Sequence, residues 1–86
     1  MAKEQQVGTV IHYFKRPHVA VVRVTEGALA VGDEIHFHGA TTDFSEQIKS
    51  MEVEHEKVQA AKTGDEVAIE VIERTRVHDR VFKVVD

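Results

Sequence analysis

Two stretches decide the fold: Thr25-Glu26-Gly27-Ala28-Leu29-Ala30-Val31-Gly32-Asp33-Glu34-Ile35 and Ala60-Ala61-Lys62-Thr63-Gly64-Asp65-Glu66-Val67. Each carries a Gly-Asp pair set into apolar, β-forming sequence. Glycine supplies the positive φ of a tight turn, and aspartate can bond the backbone just beyond it, so each pair marks the start of a strand. Two such corners in 86 residues predict a small barrel. The apolar residues agree: 15 Val and 5 Ile stand against 1 Leu, and β-branched side chains favour a pleated surface over a helix. The expected class is all-β, a small closed six-stranded Greek-key barrel over residues 1–86 as one domain.

Outward from the two turns, Val7–Phe14 reads as the first strand, ended by the Lys15-Arg16-Pro17-His18 loop because proline removes a ladder donor. Val19–Thr25 is the second, with Ala20, Val22 and Val24 on the core face and Val19, Val21 and Arg23 outside. Glu34–His38 is the third, with Ile35 and Phe37 inward, and Gly39 ends it. Thr41–Glu56 is one bent strand or two short ones, because Ile48 breaks parity with Met51 and Val53 and implies a bulge near Ser50. Val58–Lys62 reads as a short connection of about one helical turn. Val67, Ala68, Ile69, Val71 and Ile72 form the fifth core strand, and Arg80–Val85 closes the chain.

The formal net charge is −4, which does not advertise a nucleic-acid binder. Charge is unevenly spread, however: residues 41–73 hold three basic and nine acidic groups, and residues 74–86 four basic and two acidic. There is no cysteine, hence no disulfide or thiolate site. No stretch has the length of a membrane span and the first residues lack the apolar core of a secretory signal, so a cytoplasmic location without membrane contact is expected.

The run Val7-Gly8-Thr9-Val10, the segment Gly27-x4-Gly32-Asp33, and Lys49-Ser50-Met51 ahead of Ala61-x2-Gly64-Asp65-x-Val67 together resemble the second domain of translational GTPases. Elongation factor Tu and the related initiation factors carry that barrel after their GTPase domain, and the resemblance runs from about Gln6 to Val85. It implies a non-catalytic binding module of translation, contacting tRNA or ribosomal RNA. In elongation factor Tu the stretch after the second Gly-Asp turn helps line the aminoacyl pocket; the resemblance makes Glu66 the pocket candidate, where the family has Asn. Gly27-x4-Gly32 also has the glycine spacing of a phosphate-binding loop, but Asp33-Glu34 stands where Lys-Ser/Thr is required. No cofactor is expected.

The candidate RNA contacts are Lys15, Arg16 and His18 in the first loop with Arg74, Arg76 and Arg80 near the last, provided the barrel gathers them at one rim. Tyr13 and Phe14 could stack a base beside them. Pairing of Arg74 and Arg76 with Glu70 or Glu73 is the competing expectation. A second function class is a protein–protein adaptor docking a partner enzyme or GTPase. A third is a His-rich metal or small-ligand binder: Glu34, His36 and His38 alternate to one strand face, and His12 could complete a site. No metal is assigned, because neighbours on one strand face sit roughly 6.5–7 Å apart, wide for ligands of one ion. Glu52, Glu54 and Glu56 form an acidic stripe on one strand face. Ser45 and Ser50, the only serines, lack nucleophile-elbow glycines, and catalysis is not expected.

Overall fold

The computed structural model describes residues 3–85. These residues form ten strands: β1 (Lys3–Phe14), β2 (Val19–Val24), β3 (Ala28–Ala30), β4 (Glu34–His38), β5 (Asp43–Gln47), β6 (Met51–Val53), β7 (Glu56–Val58), β8 (Ala60–Lys62), β9 (Glu66–Glu70) and β10 (Arg80–Val85). Eight make one antiparallel sheet in the order β5-β4-β10-β1-β2-β9-β6-β7, and β3 pairs with β8 as a separate ribbon. The all-β class holds. The closed six-stranded barrel does not: among the described residues β5 and β7 remain sheet edges.

The difference lies in the middle third of the chain. Lys49 and Ser50 break the strand, so Ile48 and Met51 both reach the core despite their opposite parity. Glu54 and His55 then take φ of 52° and 66° and turn the chain back, making a hairpin of Met51–Val53 and Glu56–Val58. A two-residue hairpin turn of this hand is usually built from Asn-Gly, and neither residue is present to announce it. The span 58–62 is no helical turn either; Ala60–Lys62 is a strand paired with Ala28–Ala30. Beyond its five-residue ladder with β4, the β5 side is tied by a pair of bonds at Ile48, Gly32 N–H to Ile48 O at 2.9 Å and Ile48 N–H to Asp33 O at 2.8 Å.

One core fills the interior. Ala20, Val22 and Val24 of β2 are buried, as are Ile35 and Phe37 of β4, Val67 and Ile69 of β9, and Val81 of β10. Leu29 and Ala61 of the ribbon join the same cluster, so the ribbon packs on the core face of the sheet. Phe37 and Phe44, opposite each other on β4 and β5, stack at 5.0 Å. Val71 is buried as expected, but Ile72 lies beyond the end of β9 and is exposed. β1 shifts register twice, between Gln6 and Gly8 and between Val10 and His12.

Both Gly-Asp pairs form the same turn, and a third copy accompanies them. In Ala30–Asp33, Asp33 N–H donates to Ala30 O at 3.0 Å and the Asp33 carboxylate accepts Ala30 N–H at 2.9 Å. In Lys62–Asp65 the same two bonds measure 3.0 and 3.0 Å. In Arg76–Asp79 they measure 3.0 and 2.8 Å. The carboxylate thus reaches backward across the turn, not forward. The third residue takes positive φ each time: Gly32 at 99°, Gly64 at 98° and His78 at 80°. That is the position of a tight turn where glycine is favoured.

Each turn also grips one buried β-branched residue through two backbone bonds. Gly32 N–H donates to Ile48 O while Ile48 N–H donates to Asp33 O; Gly64, Val24 and Asp65 repeat this, and so do His78, Val10 and Asp79. Ile48, Val24 and Val10 are each 1% exposed. The strands β4, β9 and β10 begin immediately after the three aspartates.

Asp79 is the most demanding of the three, because it is buried and sits where a Cβ on Gly39 would overlap its carboxylate. Asp79→Ala removes the acceptor of Arg76 N–H and is expected to destabilise by about 1–3 kcal/mol. Gly39→Ala forces the carboxylate aside at a cost of about 1–3 kcal/mol. Urea unfolding of both single variants and the double variant will show less than additive loss, since removing the carboxylate removes the clash.

Candidate functional site

β1 ends between two depressions of opposite charge. Tyr13 and Phe14 are consecutive strand residues and point to opposite faces: Tyr13 packs against the core edge, whereas Phe14 is 54% exposed. On the Tyr13 side, Lys15 and His18 from the β1–β2 turn meet Arg74 around a hollow of about 350 Å³. The Tyr13 hydroxyl and His18 Nδ1 share a 2.5 Å hydrogen bond. Two bonds bring Arg74 there from the far end of the chain: Val71 N–H donates to His18 O at 2.9 Å, and Ile72 N–H donates to the Glu46 carboxylate at 2.8 Å. Burial raises the Glu46 pKa, with the Ile72 amide and Lys49 opposing the shift. The Arg76–Asp79 turn fixes the other end of this loop.

Of the six RNA-contact residues nominated from sequence, Lys15, His18 and Arg74 share one hollow. Arg16 lies exposed in the same turn without lining it, and Arg76 is exposed in the third turn. Arg80 starts β10, opposite Thr9 and His38 on the outer face. Among the described residues, no carboxylate oxygen lies within 4.0 Å of Lys15, Arg16, Arg74, Arg76 or Arg80. The expected pairing of Arg74 and Arg76 with Glu70 or Glu73 does not form.

On the Phe14 side lies a groove of about 440 Å³. Phe14, Val21 and Ala68 supply apolar surface, and Glu52, Glu54, Asp65 and Glu66 supply carboxylates. Four acids around an apolar floor attract a cation and repel phosphate. Glu66 is the residue nominated from sequence. Its carboxylate accepts from the Arg23 guanidinium at 2.6 Å, with the two side chains 50% and 55% exposed. The groove as a whole was not legible in the sequence. Its acids come from two strands and two turns, β6, the β6–β7 turn, the Lys62–Asp65 turn and β9, and the supposed stripe is folded: Glu52 sits on β6 opposite Lys57, Glu54 in the turn and Glu56 on β7. Holding Glu54 and His55 at positive φ costs about 1 kcal/mol or more per residue.

The histidine reading receives no metal geometry. His36 gives Nδ1 to Glu4 and Nε2 to Asp43, leaving no ring nitrogen for an ion. His12 stands on β1 opposite Val21, away from β4. Among the described residues no group of three His, Asp or Glu side chains could hold a metal. No helix among them is long and apolar enough to cross a membrane.

An all-β, barrel-like domain with Asp-anchored corners defines the class, and known proteins agree with it. The family model for elongation factor Tu domain 2 matches residues 18–72, and the chain belongs to that family. Two crystal structures of the C-terminal domain of a protein from Geobacillus thermoleovorans assigned to the U32 peptidases share the fold. One, a selenomethionine variant, superposes with a TM-score of 0.84 at 21% identity, covering 90% of this chain and 96% of that one. The other gives 0.83 at 22%, covering 90% and 89%. In sequence, the chain is 33% identical over 78 residues to an uncharacterized protease of Methanocaldococcus jannaschii and to a collagenase of Porphyromonas gingivalis. It spans 19% and 22% of those two proteins. The resemblance to the translation-factor domain is thus shown, and the peptidase connection is one the sequence reading did not foresee.

The Arg23–Glu66 pair is half exposed, so Glu66→Gln is expected to change stability by less than about 1 kcal/mol. Matched urea midpoints for the two proteins will check this, and a larger loss would mean that Glu66 supports the fold.

Proposed function

We propose that this chain is a non-catalytic binding module that holds an RNA backbone, of tRNA or ribosomal RNA, at the Tyr13 hollow. The observation that carries this reading is the convergence of Lys15, His18 and Arg74 around one hollow, with no carboxylate among the described residues pairing with Lys15 or Arg74. Cations that track phosphates supply most of the affinity for nucleic acid, and Tyr13 offers an aromatic edge beside them. Arg16 and Arg76, both exposed, add positive charge in the two turns that border Lys15 and Arg74 in sequence. The acidic groove beyond Phe14 would turn phosphate away and accept an amino group at Glu66 in exchange for the Arg23 guanidinium. A single-stranded end carrying both charges would then be oriented across β1. The protease and collagenase relatives are about four to five times longer, and a binding barrel attached to a separate catalytic body suits such an arrangement. The serines support the non-catalytic part of the reading, since neither sits in a nucleophile motif.

The groove itself favours a second reading, an adaptor that docks a basic segment of a partner protein. Its four carboxylates and half-exposed Phe14 match an extended peptide bearing Lys or Arg. The two readings make opposite demands on the same strand.

Amide chemical-shift titration of the labelled protein with bulk tRNA at low salt separates them. RNA binding predicts shifts at residues 13–18 and 71–76 that weaken as salt rises. Lys15→Ala with Arg74→Ala is expected to weaken binding about tenfold and to lower the salt slope by roughly 0.7 per lost phosphate contact. Absence of shifts with RNA, together with shifts at residues 52–55 and 64–68 on adding an oligolysine peptide, would replace the first reading with the second.

A further inference from the structure

Away from both depressions, on the outer face of β4, His36 lies between two carboxylates from different strands. Its Nδ1 is 2.9 Å from Glu4 Oε2 and its Nε2 is 2.5 Å from Asp43 Oδ1. The ring packs against Phe82, its cross-strand neighbour on β10, and is only 19% exposed. We propose that Glu4, His36 and Asp43 form a proton-operated clasp that fastens the N-terminal end of β1 and the edge strand β5 onto β4.

The hydrogen inventory requires the clasp to be protonated. Ionised carboxylates only accept, and a neutral imidazole has one N–H to give; only the imidazolium donates from both nitrogens. When the proton leaves, one of the two contacts becomes a lone pair facing a carboxylate and must open. Both partners sit where the sheet is least supported. Asp43 lies on β5, which among the described residues has β4 as its one ladder partner. Glu4 lies in the Lys3–Gln6 part of β1, which pairs with β10 but precedes the β2 ladder.

The charged groups on this face, element by element, are Glu4 on β1, Asp43 on β5, Glu34 and His38 on β4 itself, and Arg80 on β10. Ser45 and Phe82, directly opposite His36 on either side, are neutral. The carboxylates favour the imidazolium; Arg80, opposite His38, opposes it. The hydrogen bonds to Asp43 and then Glu4 raise the pKa of His36 above its ordinary 6.5 against a smaller opposing effect of burial. The bond to His36 lowers that of Asp43 below 3.8. The signs then fix the window. The raised His36 pKa gives stability that is fully present below about 6.5 and lost as pH rises through the folded value. The lowered Asp43 pKa gives stability present above about 3.8 and lost as pH falls through its folded value. The clasp is therefore closed in mildly acidic solution and opens toward alkaline pH.

Imidazole ¹⁵N spectra and amide hydrogen exchange of the whole chain between pH 5 and 9 test this, with the β2 amides as internal reference. His36 should titrate above 6.5, and the protection of β5 relative to β2 should fall several-fold through the same midpoint. Glu4→Gln and Asp43→Asn should each lower the midpoint, and His36→Gln, which keeps a polar group on the surface, should abolish the pH dependence of β5. A midpoint at or below 6.5, or β5 loosening that persists unchanged in His36→Gln, would overturn the proposal. Circular dichroism melts of each variant at pH 6 separate these results from failure to fold.

Discussion

Three aspartates, each accepting the backbone N–H three residues upstream, hold this small domain together. Asp33, Asp65 and Asp79 close turns of one geometry, and each turn grips a buried residue of another segment through two backbone bonds. A short strand offers few ladder bonds and a domain of 86 residues has one modest core. Corners that fix register therefore matter more here than in a longer sheet. β4, β9 and β10 all start from these corners, and β10 pairs with both β1 and β4 near the middle of the sheet order. Losing the third turn would remove the anchor of β10 at Val10 and leave its place to the β1 and β4 ladders alone.

Two of the three turns were legible because glycine announces positive φ. The third was hidden because His78 occupies the glycine position, and only its neighbour Asp79 carries the common signature. The core faces of β2 and β4 followed directly from alternation at Ala20, Val22, Val24, Ile35 and Phe37. Parity around Ile48 located the break correctly. The reverse turn at Glu54 and His55 had no local signal, because its left-handed residues are held there by the pairing of β6 with β7 and not by intrinsic preference. Without a signal for that turn, Thr41–Glu56 reads as one bent strand or two short ones, and Glu52, Glu54 and Glu56 as a stripe on one strand face.

The candidate site divides along the same line. Arg74 lies 59 residues from Lys15 and 56 from His18 in sequence, and nothing local predicts their meeting. What joins them is the grip of Val71 on His18 and of Ile72 on Glu46, bonds that belong to the tertiary fold. A net charge of −4 conceals two local fields of opposite sign, separated by the thickness of one strand at Tyr13 and Phe14. Such a partition allows a neutral or acidic protein to present phosphate-seeking and amine-seeking surfaces side by side.

The loop from Val71 to Asp79 connects the two halves of this account, since it positions Arg74 and ends in the turn without glycine. Native-state hydrogen exchange at Arg76 and His78, compared with Ala30 and Gly32 and with Lys62 and Gly64, tests it most directly. All six amides are donors in equivalent turns, and all six should be protected to a similar degree. Rapid exchange at Arg76 and His78 while the other four remain protected would contradict it, leaving the third turn unformed and Arg74 without a fixed place.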